Sequence, residues 1–243
     1  MSSPRQIFTY LKNYFDKRNI VKEKNLKALV TAGPTREYID PIRYISNESS
    51  GKQGYEIAIA LNKLGIKTTL ITGPSQLASP KGIKVKKIIS ADEMLNEVKK
   101  TLPVDLAVCT AAVTDFKPAE KNKHKITKEK LNLKSIKFIK NNDILNFLSK
   151  NNRNRPQIVA GFSAETKNVI KNSALKMKNK NCDLIFANDV SKKDIGFNSN
   201  FNKVSMIDQK GNVKIIPKNK KSFIAHKIAQ ILLDKLLDDR NFN

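Results

Sequence analysis

The run Ala28-Leu29-Val30-Thr31-Ala32-Gly33-Pro34 is apolar until it ends in Gly-Pro, and a second run, Ser49-Ser50-Gly51-Lys52-Gln53-Gly54, leads into apolar residues at helical spacing. This pattern predicts a buried strand, a loop and then a helix. A helix that begins behind Ser-Ser-Gly leaves backbone N–H groups unpaired, and these groups together with the helix dipole attract an anion. The two runs therefore predict a strand–loop–helix unit with an anion site at the start of the helix.

The loop between the two runs carries more polar chemistry than a connection needs. It holds Arg36, Arg43 and Asn47, and Lys52 opens the helix behind it. An ordinary strand–loop–helix crossover is the alternative, but these side chains favour a binding site. Neither the Walker spacing nor Gly-x-Gly-x-x-Gly is present, which argues against a P-loop and against an NAD(P)-dependent reductase.

Length and composition predict one α/β protein without a membrane span. The chain has 243 residues, of which 40% are hydrophobic and 28% charged, as in soluble globular proteins. No apolar run approaches the roughly 20 residues that cross a bilayer, and no signal peptide is visible. We therefore expect a cytoplasmic protein in which Cys109 and Cys182 are reduced core residues. With His124 and His226 at no ligand spacing, a zinc site is not expected.

The net charge is +24, from 46 basic and 22 acidic residues. Such a balance usually indicates a nucleic-acid or anionic membrane partner. Here only seven of the basic residues are Arg, Trp is absent, and the lysine-rich stretches are not interleaved with aromatic residues. We interpret the charge as solvated surface and expect no nucleic-acid or membrane partner. A basic α/β nucleic-acid-binding module without catalysis is the alternative.

Periodicity divides the chain into an N-terminal helix and linker at 1–25 and a main domain at 26–243. In the main domain apolar strands alternate with helices, which predicts a mostly parallel sheet with helices on both faces. Strands are expected over 27–31, 67–72, 84–89, 104–110, 157–162 and 183–187, and helices over 52–64, 91–100, 143–149, 167–180 and 220–238. A hairpin with Gly211 in its turn is expected at 204–216, a strand over 131–138, and Asn141 or Asn142 as the cap of the helix at 143.

Nine short stretches, in order along the chain, resemble the motifs of phosphopantothenoylcysteine synthetase, the coenzyme A pathway ligase that joins 4′-phosphopantothenate to L-cysteine. They are Ala32–Glu37, Asp40–Asn47, Ser49–Gly54, Ala111–Phe116, Lys125–Lys128, Asn141–Ile144, Gly161–Thr166, Ala187–Val190 and Gly196–Asn198. The resemblance implies a modified Rossmann-like α/β fold with an added β-hairpin or dimerisation segment. It also implies a homodimer, for which residues 131–140 and 203–216 are the candidate interface segments.

The resemblance further implies a reaction in two steps. The carboxylate of 4′-phosphopantothenate attacks CTP to give an acyl-cytidylate, with Mg²⁺ or Mn²⁺ held mainly by the nucleotide phosphates, and the cysteine amine then displaces CMP. Bacteria commonly fuse this synthetase behind a flavin-dependent decarboxylase, and no flavin is expected in this chain. The N-terminal segment is interpreted either as a connector to such a decarboxylase or as a helix that packs on the synthetase.

Nucleotide contacts are implied at several positions. Asp115 follows a predicted strand, at the sheet edge where open α/β folds bind ligands, although a capping aspartate is the alternative. Lys125 matches the first lysine of the family's Lys-x-Lys-Lys motif, in which Thr127 departs from the pattern; by itself this run would be a solvated loop. The full implied set is Cys109, Thr110, Ala111, Asp115, Lys125, Asn142, Asp143, Ile144, Leu145, Phe162, Lys176 and Lys180.

The remaining implied roles belong to the second step and to the acid substrate. Arg43 and Asn47 are expected to act when the amine attacks, because an amide side chain can orient the acyl carbonyl or the amine without titrating. The catalytic set is therefore Asn47, Arg43 and Lys125. The substrate phosphate is expected at Ser49, Ser50, Gly51 and Lys52.

Overall fold

The structure is a computed structural model that describes residues 3–127, 136–150, 153–191, 194–196 and 199–238. Its helices are α1 (Pro4–Glu23), α2 (Lys52–Lys63), α3 (Ala91–Thr101), α4 (Ile144–Ser149), α5 (Val169–Lys180) and α6 (Lys221–Asp238). Its strands are β1 (Lys27–Ala32), β2 (Arg36–Tyr38), β3 (Tyr44–Ser46), β4 (Lys67–Thr72), β5 (Lys84–Lys87), β6 (Leu106–Cys109), β7 (Phe116–Pro118), β8 (Phe138–Lys140), β9 (Ile158–Glu165), β10 (Leu184–Asp189), β11 (Phe201–Asp208) and β12 (Val213–Lys220).

One eight-stranded sheet organises the fold, in the order β12-β11-β10-β9-β6-β1-β4-β5. The six strands from β10 to β5 pair in parallel, and β11 and β12 add an antiparallel ribbon at one edge. Counted along the chain, the parallel strands follow the 3-2-1-4-5-6 order of dinucleotide-binding folds. The expected mostly parallel α/β sheet with an added hairpin is confirmed.

Helices cover both faces of the sheet. Apolar residues of α2 and α6, among them Ile57, Leu61 and Ile228, pack on one face, and residues of α3, α4 and α5, among them Met94, Leu148 and Met177, pack on the other. Strand side chains alternate between the two layers, with Val30 in the first and Leu29 in the second. The inner parallel strands β1, β6 and β9 are buried on both faces, which explains their nearly continuous apolar sequence, whereas the parallel edge strand β5 is only partly covered.

Glycine positions let α2 approach the sheet. Gly33 and Gly51 have φ of +71° and +76°, in the left-handed region that favours glycine. A Cβ on Gly54 would lie 2.3 Å from Thr110 Oγ1 and 2.6 Å from Ala32 Cβ. The first turn of α2 therefore packs directly on the carboxyl ends of β1 and β6.

Most predicted elements agree with the structure to within three residues at their ends. The predicted cap of the 143–149 helix is wrong: Asp143, rather than Asn141 or Asn142, accepts a hydrogen bond from the Asn146 N–H and caps α4. The two small sheets β2–β3 and β7–β8 were not predicted. Of the strand predicted over 131–138, residues 131–135 lie outside the described residues, 136 and 137 are not in a strand, and only Phe138 belongs to one, at the start of β8. Lys128 of the lysine motif and Phe197-Asn198 also lie outside the described residues.

The N-terminal segment forms α1, as expected. Val21 is buried, whereas Ile7, Phe8, Leu11 and Phe15 are exposed. Within the described ranges, none of the helices combines the length and the apolar character that crossing a membrane requires.

Candidate active site

The candidate site lies at the carboxyl ends of the neighbouring strands β1 and β6, the topological switch point at which such sheets bind ligands. Beyond the two strands, the backbone continues to pair: the Ala112 N–H donates to Gly33 O (2.9 Å) and the Thr35 N–H to Ala112 O (3.3 Å). The Thr110 hydroxyl donates to Thr31 O at 2.6 Å. These bonds fix the two loops that carry the predicted nucleotide and phosphate residues.

A first cavity of about 430 Å³, called here the α2 cavity, opens beside the start of α2. It is lined by the loop and first turn of α2, by the end of β6, and by residues from β9, β10, β11 and α6. Its members are Asn47–Gly54, Thr110–Val113, Asp115, Phe162–Ala164, Lys176, Asn188, Asn202 and Lys221. All four predicted phosphate residues, Ser49 to Lys52, are in this set.

A second cavity of about 420 Å³, the α4 cavity, opens on the other side of the β6 end. Its members are Thr31, Cys109, Ala111, Val113–Phe116, Lys140–Leu145, Phe162, Lys176 and Lys180. Every predicted nucleotide residue lines this cavity except Thr110, which lines the α2 cavity, and Lys125, which lines neither.

The two cavities meet at shared residues. Ala111, Val113, Asp115, Phe162 and Lys176 line both. The Phe162 ring lies 5.3 Å from that of Phe186, which is fully buried, so it is anchored in the core while it borders the cavities. Two substrates that occupy one cavity each would meet beside these residues.

Asn47 lies at this junction. Its side-chain amide donates to Val113 O at 3.0 Å, which places the amide of the β3–α2 loop against the end of β6. Asn47 lines the α2 cavity, as expected for a residue that contacts the acyl group or the amine.

Buried Asp40 joins the other two predicted catalytic residues. One carboxylate oxygen accepts from the Ile42 and Arg43 N–H groups, and the other accepts from the Arg43 guanidinium at 3.1 Å and from the Ile126 N–H at 3.3 Å. Burial alone would raise the pKa of Asp40, but these backbone bonds and the guanidinium charge together lower it. The carboxylate therefore fixes Arg43 and the segment that carries Lys125 to one another.

Arg43 also donates to Ile126 O at 3.3 Å. Arg43 lines neither cavity, and Lys125 is exposed next to Ile126. The structure thus brings Arg43 and the segment that carries Lys125 together, but it places neither residue in the wall of either cavity.

The α4 cavity is basic on one wall. Asp143 pairs with Lys180, and Asp143 Oδ1 accepts from the Asn146 N–H at 2.9 Å. Lys176 lies one helical turn before Lys180 on α5 and faces both cavities. The start of α4 is therefore flanked by two lysines from α5.

The two cysteines are not reactive thiols. Burial is the main cause that raises the pKa of Cys109 to about 12 and that of Cys182 to about 11. Both therefore stay protonated at neutral pH and are poor nucleophiles. This is consistent with the expectation that Cys109 contributes its backbone to the site.

Sequence reasoning missed six polar residues of the α2 cavity: Glu48, Gln53, Ser163, Asn188, Asn202 and Lys221. Asn188 lies in a recognised motif, but its role was not assigned. Asn202 and Lys221 lie outside the nine motif stretches, and the packing of β11 and α6 beside α2 brings them to the cavity. Within the described ranges, no cluster of three or more His, Cys, Asp or Glu side chains could hold a metal ion.

Comparison with known proteins identifies related chains. Residues 23–236 match the model of a family described as the DNA/pantothenate metabolism flavoprotein C-terminal domain. The chain is 41% identical over 229 residues to the coenzyme A biosynthesis bifunctional protein CoaBC of Borreliella burgdorferi, covering 93% of this chain and 57% of the relative. With the CoaBC of Haemophilus influenzae it shares 40% identity over 233 residues, covering 96% of this chain and again 57% of the relative.

A solved structure is also similar. The crystal structure of the C-terminal domain of a CoaBC protein superposes with a TM-score of 0.73 at 34% identity, over 88% of this chain and 96% of that one. The chain therefore spans a little over half the length of the curated relatives it matches, and most of the length of this solved domain.

Proposed function

Because the chain belongs to the family of DNA/pantothenate metabolism flavoprotein C-terminal domains, we propose that it is a phosphopantothenate–cysteine ligase. In this proposal it uses CTP to join 4′-phosphopantothenate to L-cysteine through an acyl-cytidylate. The product, 4′-phosphopantothenoyl-L-cysteine, is an intermediate of coenzyme A biosynthesis.

One observation carries the proposal: two cavities of nearly equal volume meet at Ala111, Asp115 and Phe162. A ligase that activates an acid with a nucleotide needs the carboxylate of one substrate beside the α-phosphate of the other. The α4 cavity takes the nucleotide and the α2 cavity takes the acid, so the reacting atoms meet at the shared wall.

In the first step a carboxylate oxygen attacks the α-phosphorus, and the bond to pyrophosphate breaks. Negative charges approach one another in this step, so cations must neutralise them. Lys176 lines both cavities and Lys180 lines the nucleotide side. We assign the same role to Lys125, which lines neither cavity and would contact the phosphates from its exposed segment. Mg²⁺ or Mn²⁺, when bound, adds charge neutralisation on the phosphates. Since the described residues offer no carboxylate cluster, we assign the metal to the nucleotide phosphates.

In the second step the cysteine amine attacks the acyl carbon, CMP leaves, and the amine loses a proton. Asn47 lies at the junction and can orient the acyl group with an amide that does not titrate. Arg43, which is held by Asp40, supplies a positive charge beside the segment that carries Lys125.

We also propose a homodimer, in which the exposed edge strand β12 takes part. Its Val213 and Ile215 side chains are exposed. Of the other candidate interface segment, 131–140, the structure describes only residues 136–140.

The longer relatives are bifunctional proteins, and we propose that this chain works fused to, or together with, a flavin-dependent decarboxylase that consumes its product.

The two other candidates are less well supported. A reductase would share the strand order, but here the segment between β1 and α2 contains a hairpin, β2–β3, rather than a short glycine-rich turn. A nucleic-acid module gives no reason for two connected cavities at the switch point.

The test is pyrophosphate release by the purified chain. We expect sustained release and amide product only when 4′-phosphopantothenate, L-cysteine, Mg²⁺ and CTP are all present, measured against ATP and against no nucleotide. Without L-cysteine, release should stop at about one pyrophosphate per site, because the first step alone can proceed. Activity with ATP and none with CTP, in the presence of both other substrates, would overturn the choice of CTP. Absence of release and of amide under every condition would overturn the ligase assignment.

A further inference from the structure

Resting on the proposed function, we propose that Lys221, at the start of α6, forms with Lys52 a phosphate-binding subsite at the far end of the α2 cavity. The group it takes is a terminal phosphate of a substrate. Two sources carry that chemistry: the phosphate of 4′-phosphopantothenate and the leaving pyrophosphate of the nucleotide.

The geometry brings two helix starts together around one cavity. Lys52 opens α2, Lys221 opens α6, and both line the α2 cavity. Asn200 links them: its side chain accepts from Lys52 Nζ at 2.9 Å, and its carbonyl accepts from the Lys221 N–H at 2.8 Å. Neither helix has an acidic residue in its first turn, so the positive ends of both helix dipoles are uncompensated there.

Burying the positive charge of Lys221 at this position costs free energy. Its side chain is only 6% exposed, and its ammonium donates to Gly196 O at 3.3 Å. Burial, followed by the charge of Lys52, lowers the pKa of Lys221 to about 8. Lysine is rarely buried to this extent, and a bound anion would favour its charged form.

The surroundings suit a phosphate rather than a carboxylate. Ser49 and Ser50 line the same cavity and carry hydroxyl groups that can donate to phosphate oxygens, and two ammonium groups match the charge of a phosphate dianion. Glu48 lines the cavity too, but the lowered pKa of Lys221 traces to burial and to Lys52. Lys221 is 169 positions from Lys52 along the chain, so no local motif links the two residues.

The experiment compares Lys221→Gln and Lys221→Met with Lys220→Gln, which removes the same charge from an exposed neighbour. The first measurement is the thermal midpoint of the full chain in sodium phosphate and in sodium pyrophosphate, at constant ionic strength. We expect at least one of these anions to raise the midpoint of the unsubstituted chain and of Lys220→Gln, and to have little effect on the Lys221 variants. In the absence of anion, the thermal midpoint of Lys221→Met should equal or exceed that of the unsubstituted chain, because the substitution removes a buried charge.

The second measurement separates the two sources. If the acid's phosphate binds there, kcat/KM for 4′-phosphopantothenate falls roughly ten- to a hundredfold in Lys221→Gln, while turnover of unphosphorylated pantothenate and the KM for CTP stay unchanged. If pyrophosphate binds there, the KM for CTP and the inhibition constant of pyrophosphate rise instead.

The proposal is overturned if phosphate and pyrophosphate raise the thermal midpoints of the Lys221 variants as much as that of Lys220→Gln, and if these variants turn over 4′-phosphopantothenate and pantothenate at the same rates as Lys220→Gln. If either Lys221 variant fails to fold, Lys52→Gln takes its place and the same loss is expected. Should the unsubstituted chain form no amide at all, the proposed ligase function fails, and the thermal response to phosphate still decides the subsite.

Discussion

At the scale of single residues, the buried carboxylate of Asp40 determines how Arg43 and the Lys125 segment are placed relative to each other. One buried carboxylate holds Arg43 through both its backbone and its guanidinium, and holds the Lys125 segment through Ile126. Sequence reasoning placed Arg43 and Lys125 in the catalytic set from motifs alone. It could not foresee that a single carboxylate joins them, because residues 40 and 126 are neighbours only in the folded chain.

Lys125→Gln tests the first step. If Lys125 neutralises developing charge on the nucleotide phosphates, the rate of pyrophosphate release should fall by roughly 10²- to 10³-fold, the scale for losing one electrostatic donor. The control is Lys123→Gln, an exposed lysine in the same segment, which should retain the original rate. Full-rate release by Lys125→Gln, with Lys123→Gln equally active, would remove Lys125 from the mechanism.

Asn47→Asp tests the division between the two steps. The substitution replaces the amide that donates to Val113 O with a negative charge at the junction of the cavities. We expect the second step to slow more than the first, so that acyl-cytidylate accumulates and is seen by mass spectrometry of a quenched reaction. If the variant stops before any intermediate forms, Asn47 acts in activation instead.

At the scale of secondary structure, the close approach of α2 to the sheet shapes the α2 cavity. Periodicity predicted the main strands and helices because their apolar residues face a core on a regular spacing. It missed β2–β3 and β7–β8, because strands of three residues are too short to show a period. The Arg36 N–H donates to Ile89 O and the Asn141 N–H to Asp115 O, and neither bond leaves a trace in local sequence.

Gly54→Ala tests that approach. The added Cβ would lie 2.3 Å from Thr110 Oγ1 and 2.6 Å from Ala32 Cβ, so α2 must shift outward. We expect a loss of about 1–3 kcal/mol in the free energy of unfolding, measured by denaturant titration. Adding Thr110→Ala removes one of the two clashes and should recover part of the loss. An unchanged stability in Gly54→Ala would show that α2 is not packed as described.

Deletion of residues 1–20 tests α1. Its apolar side chains Ile7, Phe8, Leu11 and Phe15 are exposed, while the buried Val21 is retained by the truncated chain. The thermal midpoint and ligase rate should therefore change little. A large loss of either would show that α1 belongs to the core, which is the alternative that sequence analysis left open.

At the scale of the whole molecule, the site is assembled from both halves of the sheet. The loop after β6, together with β9 and α5, supplies the residues that line both cavities, and the first turn of α2, α4, β10, β11 and α6 supply other parts of the walls. The sequence motifs identified most residues at the junction because those lie in short loops at strand ends. Lys221 and Asn202 could not be found this way, since their place in the site follows only from how β11 and α6 pack against α2.

The central claim is that the acid is activated by bonding to the α-phosphate of CTP where the two cavities meet. The most direct test uses 4′-phosphopantothenate labelled with ¹⁸O in its carboxylate, and follows the label by mass spectrometry after ligation to cysteine. The account predicts that one ¹⁸O atom appears in CMP, with none in pyrophosphate. Label in inorganic phosphate or pyrophosphate, or amide formation with unlabelled CMP, would contradict it.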